Sequence, residues 1–205
     1  IFRNYLEHGC YPFYWDDPDA FPFRLQDRVR EMVDVDLPPL YPLEYRELKD
    51  IKRLMMSISG QIPDVADVAD LATLLKLERT DVKRYFDYLT DAVCIRYYQS
   101  KKQTQNRLQK TYIGNTNLLM AFEEDVNDRV ILGETFFVDQ LSNFATVELF
   151  ENNDFLINDK YIFMVGDPLM DYDRIKELDN AFAAIYGQPK SQNNKLPIWL
   201  LGLCY

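Results

Sequence analysis

The stretch VADLATLLKLERTDVKRYFDYL, residues 68–89, decides the fold of the first half of the chain. Apolar residues recur around and within it at the three- and four-residue spacing of a helix face: Val65, Val68, Ala69, Ala72, and then Val82, Tyr85, Phe86, Leu89. This spacing predicts two short helices joined by a tight turn at residues 76–78. The second helix begins at Arg79 or Thr80, and Lys83 and Arg84 project from its outer face.

A basic hairpin is predicted directly after the two helices. Residues 94–98 (CIRYY) have the β-branched and aromatic content of a strand, a polar and basic run follows over residues 99–109, and residues 110–113 form a second strand. A further amphipathic helix over residues 43–58 precedes the pair. Three helices followed by a hairpin are the layout of a winged helix-turn-helix, so we predict such a domain over residues 43–113.

Two segments flank this predicted domain. Residues 1–42 combine an irregular aromatic segment with a helix over residues 23–33. Residues 114–205 change pattern to two helices, three short strands, a weak helix and a final strand, at 115–122, 129–141, 145–150, 155–157, 161–165, 173–178 and 181–186. The chain is therefore expected to be an α+β protein that ends in a small α/β domain.

Charge is distributed unevenly along the 205 residues. The net charge is −10, yet residues 76–110 carry nine basic and four acidic side chains, a local excess of +5. The total argues against a general binder of nucleic acid, whereas the basic region coincides with the predicted winged helix. Duplex DNA is thus a possible partner, with phosphate contacts from six side chains: Arg79, Lys83, Arg84, Lys101, Lys102 and Arg107. The alternatives are an ordinary solvated face and packing against a neighbouring domain.

Familiar catalytic motifs are absent from the sequence. It contains no G-x-x-x-x-G-K-[ST] loop, no G-x-G-x-x-G and no cysteine cluster, and His8 is its one histidine. Glu134 and Asp154 remain as candidate ligands for a divalent metal, but residues 164–166 on the next strand (MVG) add neither a carboxylate nor an amine. We therefore assign no firm catalytic or metal site. Three widely spaced cysteines and the lack of a long apolar run predict a cytoplasmic location and no membrane partner.

Several stretches resemble the C-terminal portion of a bacterial and archaeal AAA-type ATPase family. Members of that family carry a P-loop ATPase domain, a winged helix and a degenerate restriction-endonuclease-like domain, the DUF4143 region. The resemblance is carried by YLEHGCYPF at 5–13, RYFDYL at 84–89, KTYIGNTNL at 110–118, ETFFVDQL at 134–141, DFLINDKY at 154–161 and LPIWLLG at 196–202.

The resemblance implies both an architecture and a function. It implies that residues 114–205 form the nuclease-like domain, that Glu134 and Asp154 occupy its acidic positions, and that the missing Glu-x-Lys leaves it inactive. It also implies an ATPase domain before Ile1, which would bind ATP and Mg²⁺ and contact this chain, whereas the chain itself would hold no cofactor. The expected function is the DNA-binding and interaction half of such an ATPase. A metal-dependent nuclease using Glu134 and Asp154, and an assembly module that forms homo-oligomers, are the alternatives.

Overall fold

The computed structural model describes residues 1–64, 67–99, 109–122 and 128–204, and these form an α+β protein, as expected. Its helices are α1 (Phe2–His8), α2 (Phe21–Glu31), α3 (Tyr45–Ser59), α4 (Val68–Leu75), α5 (Arg79–Asp91), α6 (Thr116–Phe122) and α7 (Arg129–Leu141). Its strands are β1 (Ile95–Gln99), β2 (Gln109–Ile113), β3 (Val147–Leu149), β4 (Phe155–Ile157), β5 (Tyr161–Gly166), β6 (Ala181–Ile185) and β7 (Lys195–Pro197). The chain divides into two compact units. The helical unit draws on residues 3–97 and 111–126, and the sheet unit on residues 98–110 and 127–205.

In the helical unit, the predicted sequence of helix, helix, turn and helix is confirmed for α3, α4 and α5. The amino terminus of α4 is fixed by Asp67, whose carboxylate accepts hydrogen bonds from the amides of Ala69 (2.7 Å) and Asp70 (2.9 Å). The turn to α5 begins at Lys76, which adopts a left-handed backbone conformation (φ 57°). The core of the unit is formed by fully buried apolar side chains, among them Ile51, Leu54, Ile58, Leu71, Val82 and Leu89.

Strands β1 and β2 pair with each other in a two-stranded sheet. Both strands lie within one residue of their predicted positions. Most of the basic run between them, including Lys101, Lys102 and Arg107, lies outside the described residues.

The sheet unit contains one five-stranded sheet with the order β3-β4-β5-β6-β7. The pairs β3–β4 and β4–β5 are antiparallel, and the pairs β5–β6 and β6–β7 are parallel. Helix α7 packs on β5, and the ring of Phe137 lies 5.0 Å from that of Phe155 and 5.3 Å from that of Phe163. This helix was predicted at its observed bounds.

Three of the local differences from the sequence-based expectation concern the amino terminus, one hairpin loop and the last strand. The irregular segment expected at the amino terminus begins with α1, because the first breaker, Gly9, comes only after a complete run of helix-compatible residues. The loop between β4 and β5 has three residues, 158–160, instead of two, although Asn158 (φ 52°) and Asp159 (φ 54°) do adopt the left-handed conformation that the turn requires. The short strand β7 was not predicted, since three residues ending in Pro197 carry almost no periodic signal.

Candidate functional site

Two exposed cations lie on the amino-terminal half of α5. Arg79 and Lys83 are both solvent-exposed, and they are four residues apart, so they lie on neighbouring turns of one helix face. The carboxyl-terminal half of the same helix instead exposes Asp87 and Asp91. The helix is therefore electrostatically asymmetric, with its positive end next to the turn from α4.

A cleft of about 300 Å³ adjoins this positive end. Thr73, Leu77, Arg79 and Thr80 are among the residues that line it, together with the exposed acidic residue Glu78, so the lining carries both signs of charge. The residue preceding the helix, Glu78, makes no side-chain cap, so its carboxylate accepts no hydrogen bond from the first amides of α5. Backbone N–H groups at a helix start favour anionic groups, which are attracted further by the helix dipole.

The third predicted cation of α5 is engaged within the protein. The Nη2 atom of Arg84 donates to Glu47 Oε1 on α3 (2.6 Å) and to Asp81 Oδ1 one turn earlier on α5 (2.9 Å). Its guanidinium also lies 5.3 Å from the ring centroid of Tyr85. Of the six cations predicted to contact DNA, two are thus exposed on α5, one is paired with two carboxylates, and three lie beyond the residues that the structure describes.

The sheet unit contains a second charged cluster, and this one is buried. Lys110 Nζ lies 2.8 Å from both carboxylate oxygens of Glu134, and these two side chains are only 5% and 7% exposed. Asp154, at the start of β4, accepts a hydrogen bond of 3.0 Å from Arg174 Nη2. Each predicted acidic residue is therefore neutralised by a cation that the sequence analysis did not assign to it.

The protonation of Asp154 reflects competing effects. Burial raises the pKa of its carboxyl group from 3.8 to about 6, while the ion pair with Arg174 and the charge of Lys110 oppose the increase and the charge of Glu134 adds to it. Lys110 and Glu134 are thus close enough to Asp154 to act on its charge. Loss of hydration has the largest effect on this pKa, because the Asp154 side chain is only 7% exposed.

Residues 164–166 of β5, the strand next to β4, supply no further polar group to this cluster. Met164 packs in an apolar cluster with Tyr172 and Ile175, and a side chain at Gly166 would collide with Met170 and Tyr172. Across the described ranges, no group of three His, Cys, Asp or Glu side chains is placed to hold a metal ion. The amine that residues 164–166 lack is present in the cluster, but it is supplied by Lys110 from β2.

Lys110 and Arg174 are the residues that sequence reasoning missed. They lie 24 residues before Glu134 and 20 residues after Asp154, respectively, so no local spacing connects either cation to its partner. The available signal was weak: Lys110 is the one charged residue in its predicted strand, and a charge in a strand that becomes buried requires a partner.

None of the described helices has the length and apolar character needed to cross a bilayer.

Comparison with known proteins corrects one expectation from the sequence. No curated protein and no solved structure matches the chain. The resemblance to the AAA-type ATPase family with its DUF4143 region is wrong, because the family model that matches is a different one. The ATPase domain, with its ATP and Mg²⁺, was implied by that resemblance alone and has no other support. The matching model is described as "Domain of unknown function (DUF8612)" and spans residues 1–128. Because this match covers more than half of the 205 residues, the chain belongs to the DUF8612 family.

Proposed function

We propose that the helical unit binds duplex DNA, with α5 as the helix that contacts the phosphate backbone. The observation that carries this proposal is the exposure of Arg79 and Lys83 at the amino-terminal half of α5, directly after the turn from α4. In helix-turn-helix proteins the amino-terminal residues of the second helix of the motif reach the DNA, and cations there neutralise phosphates. The acidic residues Asp87 and Asp91 lie at the other end of the helix, which favours an approach by its amino terminus.

The order of elements along this part of the chain supports the same proposal. Helices α3, α4 and α5, followed by the strands β1 and β2, have the chain order of a winged helix, in which the strand pair forms the wing. The local charge of +5 over residues 76–110 falls on this part of the chain, although the protein as a whole carries −10. Binding should therefore depend strongly on salt, since the acidic remainder opposes association at long range and phosphate contacts supply the attraction.

Replacing Lys83 by glutamine should weaken DNA binding and reduce its salt dependence. Loss of one phosphate contact lowers the magnitude of the slope of log K against log salt concentration by about 0.9 for duplex DNA. The measurement is fluorescence anisotropy of a labelled 20-base-pair duplex at several KCl concentrations. The control is Lys190→Gln, which removes the same charge at an exposed position of the sheet unit. Equal slopes for Lys83→Gln and the wild-type protein would contradict a phosphate contact at this position.

A second candidate function is metal-dependent hydrolysis of phosphodiesters by the sheet unit. It is favoured by one observation: Lys110 brings an amine to Glu134, and its charge also acts on Asp154, so two carboxylates and one lysine are present, as in restriction-endonuclease-like enzymes. The order of α7, three antiparallel strands and a parallel β6 also suits that architecture. However, both carboxylates are ion-paired and almost completely buried, so we favour DNA binding as the function of the chain.

The nuclease alternative predicts cleavage that depends on this cluster. Supercoiled and linear DNA would be incubated with the protein and either Mg²⁺ or Mn²⁺, and the products would be separated on a gel. If the cluster is catalytic, Asp154→Ala and Lys110→Met should each abolish cleavage while Lys190→Gln leaves it unchanged. Since we favour a non-catalytic cluster, we expect no cleavage above background by the wild-type protein.

A further inference from the structure

We infer that Arg84 is a positioning residue, which Glu47 and Asp81 hold so that it orients α5 and does not itself contact DNA. The inference rests on the proposed DNA-binding function, and it assigns different roles to the cations of one helix. Lys83 and Arg84 are adjacent in the sequence, and both are basic, so sequence alone treats them as equivalent.

Arg84 faces more negative charge than it can neutralise. One guanidinium nitrogen donates to two carboxylates, at 2.6 Å from Glu47 and 2.9 Å from Asp81. Two negative charges thus face a single positive charge, and a phosphate that approached Arg84 would meet a local excess of negative charge. Among the ion pairs of the described residues, none involves Arg79 or Lys83, whose charges therefore remain available to a ligand.

The side chain of Glu47 is itself held in place. While its Oε1 atom accepts from Arg84, its Oε2 atom accepts from the backbone amide of Glu44 (2.9 Å) and so completes the capping box at the start of α3. The Glu47 side chain is only 18% exposed. Because both of its oxygens are engaged, this carboxylate is a rigid anchor on α3 rather than a mobile surface group.

The Glu47 anchor also restrains the orientation of α5. The contact joins α3 to α5 next to Tyr85, which is almost fully buried at 2% exposure. The bond to Glu47 links α5 to α3, whereas the bond to Asp81, within α5, holds the Arg84 side chain in the conformation that reaches Glu47. Together they restrain rotation of α5 about its own axis. Such a restraint keeps Arg79 and Lys83 at a fixed orientation on the outer face, which lowers the cost of ordering them when DNA binds.

The positioning role and a phosphate-contact role predict opposite effects for Glu47→Gln. If Arg84 contacted phosphate, removal of the Glu47 charge would release its guanidinium and make the protein less acidic, so DNA would bind more tightly. If Arg84 positions α5, the same variant loosens the helix, and DNA should bind more weakly although the net charge has become less negative. Glutamine can still accept the Glu44 amide, so the capping box is retained.

The experiment measures the affinity of a labelled 20-base-pair duplex over a range of KCl concentrations for the wild-type chain and for Glu47→Gln, Arg84→Gln and the double variant. Glu47→Gln and Arg84→Gln should each weaken binding about three- to fivefold with the salt slope unchanged, as loss of a partly exposed ion pair allows. The double variant should be no weaker than Arg84→Gln alone, because both substitutions remove the same contact. Lys83→Gln serves as the matched comparison, since it should make the slope shallower by about 0.9.

The possible failures can be told apart. If the wild-type chain does not bind the duplex at low salt, the proposed function is overturned and this inference with it. If the wild-type chain binds but Glu47→Gln binds more tightly, or Arg84→Gln reduces the slope as Lys83→Gln does, only the inference is overturned. Thermal unfolding checks that each variant is folded. Should Glu47→Gln be less stable, the salt slope of Arg84→Gln decides: an unchanged slope supports the positioning role, and a slope shallower by about 0.9 overturns it.

Discussion

Replacement of Lys110 by methionine should destabilise the sheet unit by about 3–5 kcal/mol, the usual cost of removing one partner of a buried ion pair. Methionine fills a similar volume, so the expected loss comes from the charge and not from a cavity. Glu134, whose side chain is only 7% exposed, would lose both of its 2.8 Å hydrogen bonds to the ammonium group. The variant would thus keep the buried negative charge of Glu134 without its bonds to Lys110, which is the source of the expected cost.

Urea unfolding of the wild-type and variant proteins measures this cost, and two further variants identify its source. Lys110→Met combined with Glu134→Gln removes both charges, so this double variant should recover much of the lost free energy of unfolding. Lys176→Met instead breaks an ion pair between two exposed side chains, with Asp173, and should leave the unfolding midpoint nearly unchanged. If Lys110→Met were as stable as Lys176→Met, the lysine would not be paired with Glu134 in solution.

Much of the secondary structure could be predicted because it depends on local patterns. Helix α7 and the strand β4 were predicted at their observed bounds, since apolar spacing and the flanking polar turns are both visible in the sequence. The strand β7 was missed because its formation depends on pairing with β6, a contact between Lys195 and Ala183 that no local signal encodes. Short strands at a sheet edge are determined by the tertiary structure more than by their own residues.

The candidate sites show the same division between local and long-range information. Exposure of Lys83 agrees with helical periodicity, because it lies outside the stripe of buried positions formed by Val82, Tyr85, Phe86 and Leu89. The engagement of the adjacent Arg84 could not be predicted, since its partner Glu47 is 37 residues away on another helix. Likewise, Glu134 and Asp154 were identified as notable carboxylates, but the cations that neutralise them come from distant segments. A sequence therefore shows which side chains are charged, but it does not show which of these charges are paired within the folded protein and which remain available to a ligand.

Because Asp154 is buried, the free energy of unfolding should decrease as the pH rises through the weakly acidic range. Its pKa is about 6 in the folded protein and 3.8 in the unfolded chain, so between these values the folded state binds more protons. Each unit of difference corresponds to about 1.4 kcal/mol, so the group contributes roughly 3 kcal/mol at low pH that is lost as the pH rises from about 4 to 6. The cause is desolvation of the carboxylate, which the ion pair with Arg174 only partly offsets.

Asp154→Asn isolates this contribution, because asparagine has nearly the same shape and does not titrate. The free energies of unfolding of the wild-type protein and of Asp154→Asn are measured in urea at pH 4.5 and at pH 7.5. The other titrating groups are shared by the two proteins, so their effects cancel in the difference. Between pH 4.5 and pH 7.5, the free energy of unfolding of the wild-type protein should fall by about 2 kcal/mol relative to that of Asp154→Asn. The change is smaller than the full 3 kcal/mol because about one third of the contribution of Asp154 has already been lost by pH 4.5.

A difference that stayed constant between the two pH values would mean that the carboxyl of Asp154 titrates normally, as it would if water reached it. A shift in the opposite direction would mean that Arg174 stabilises the carboxylate by more than burial penalises it.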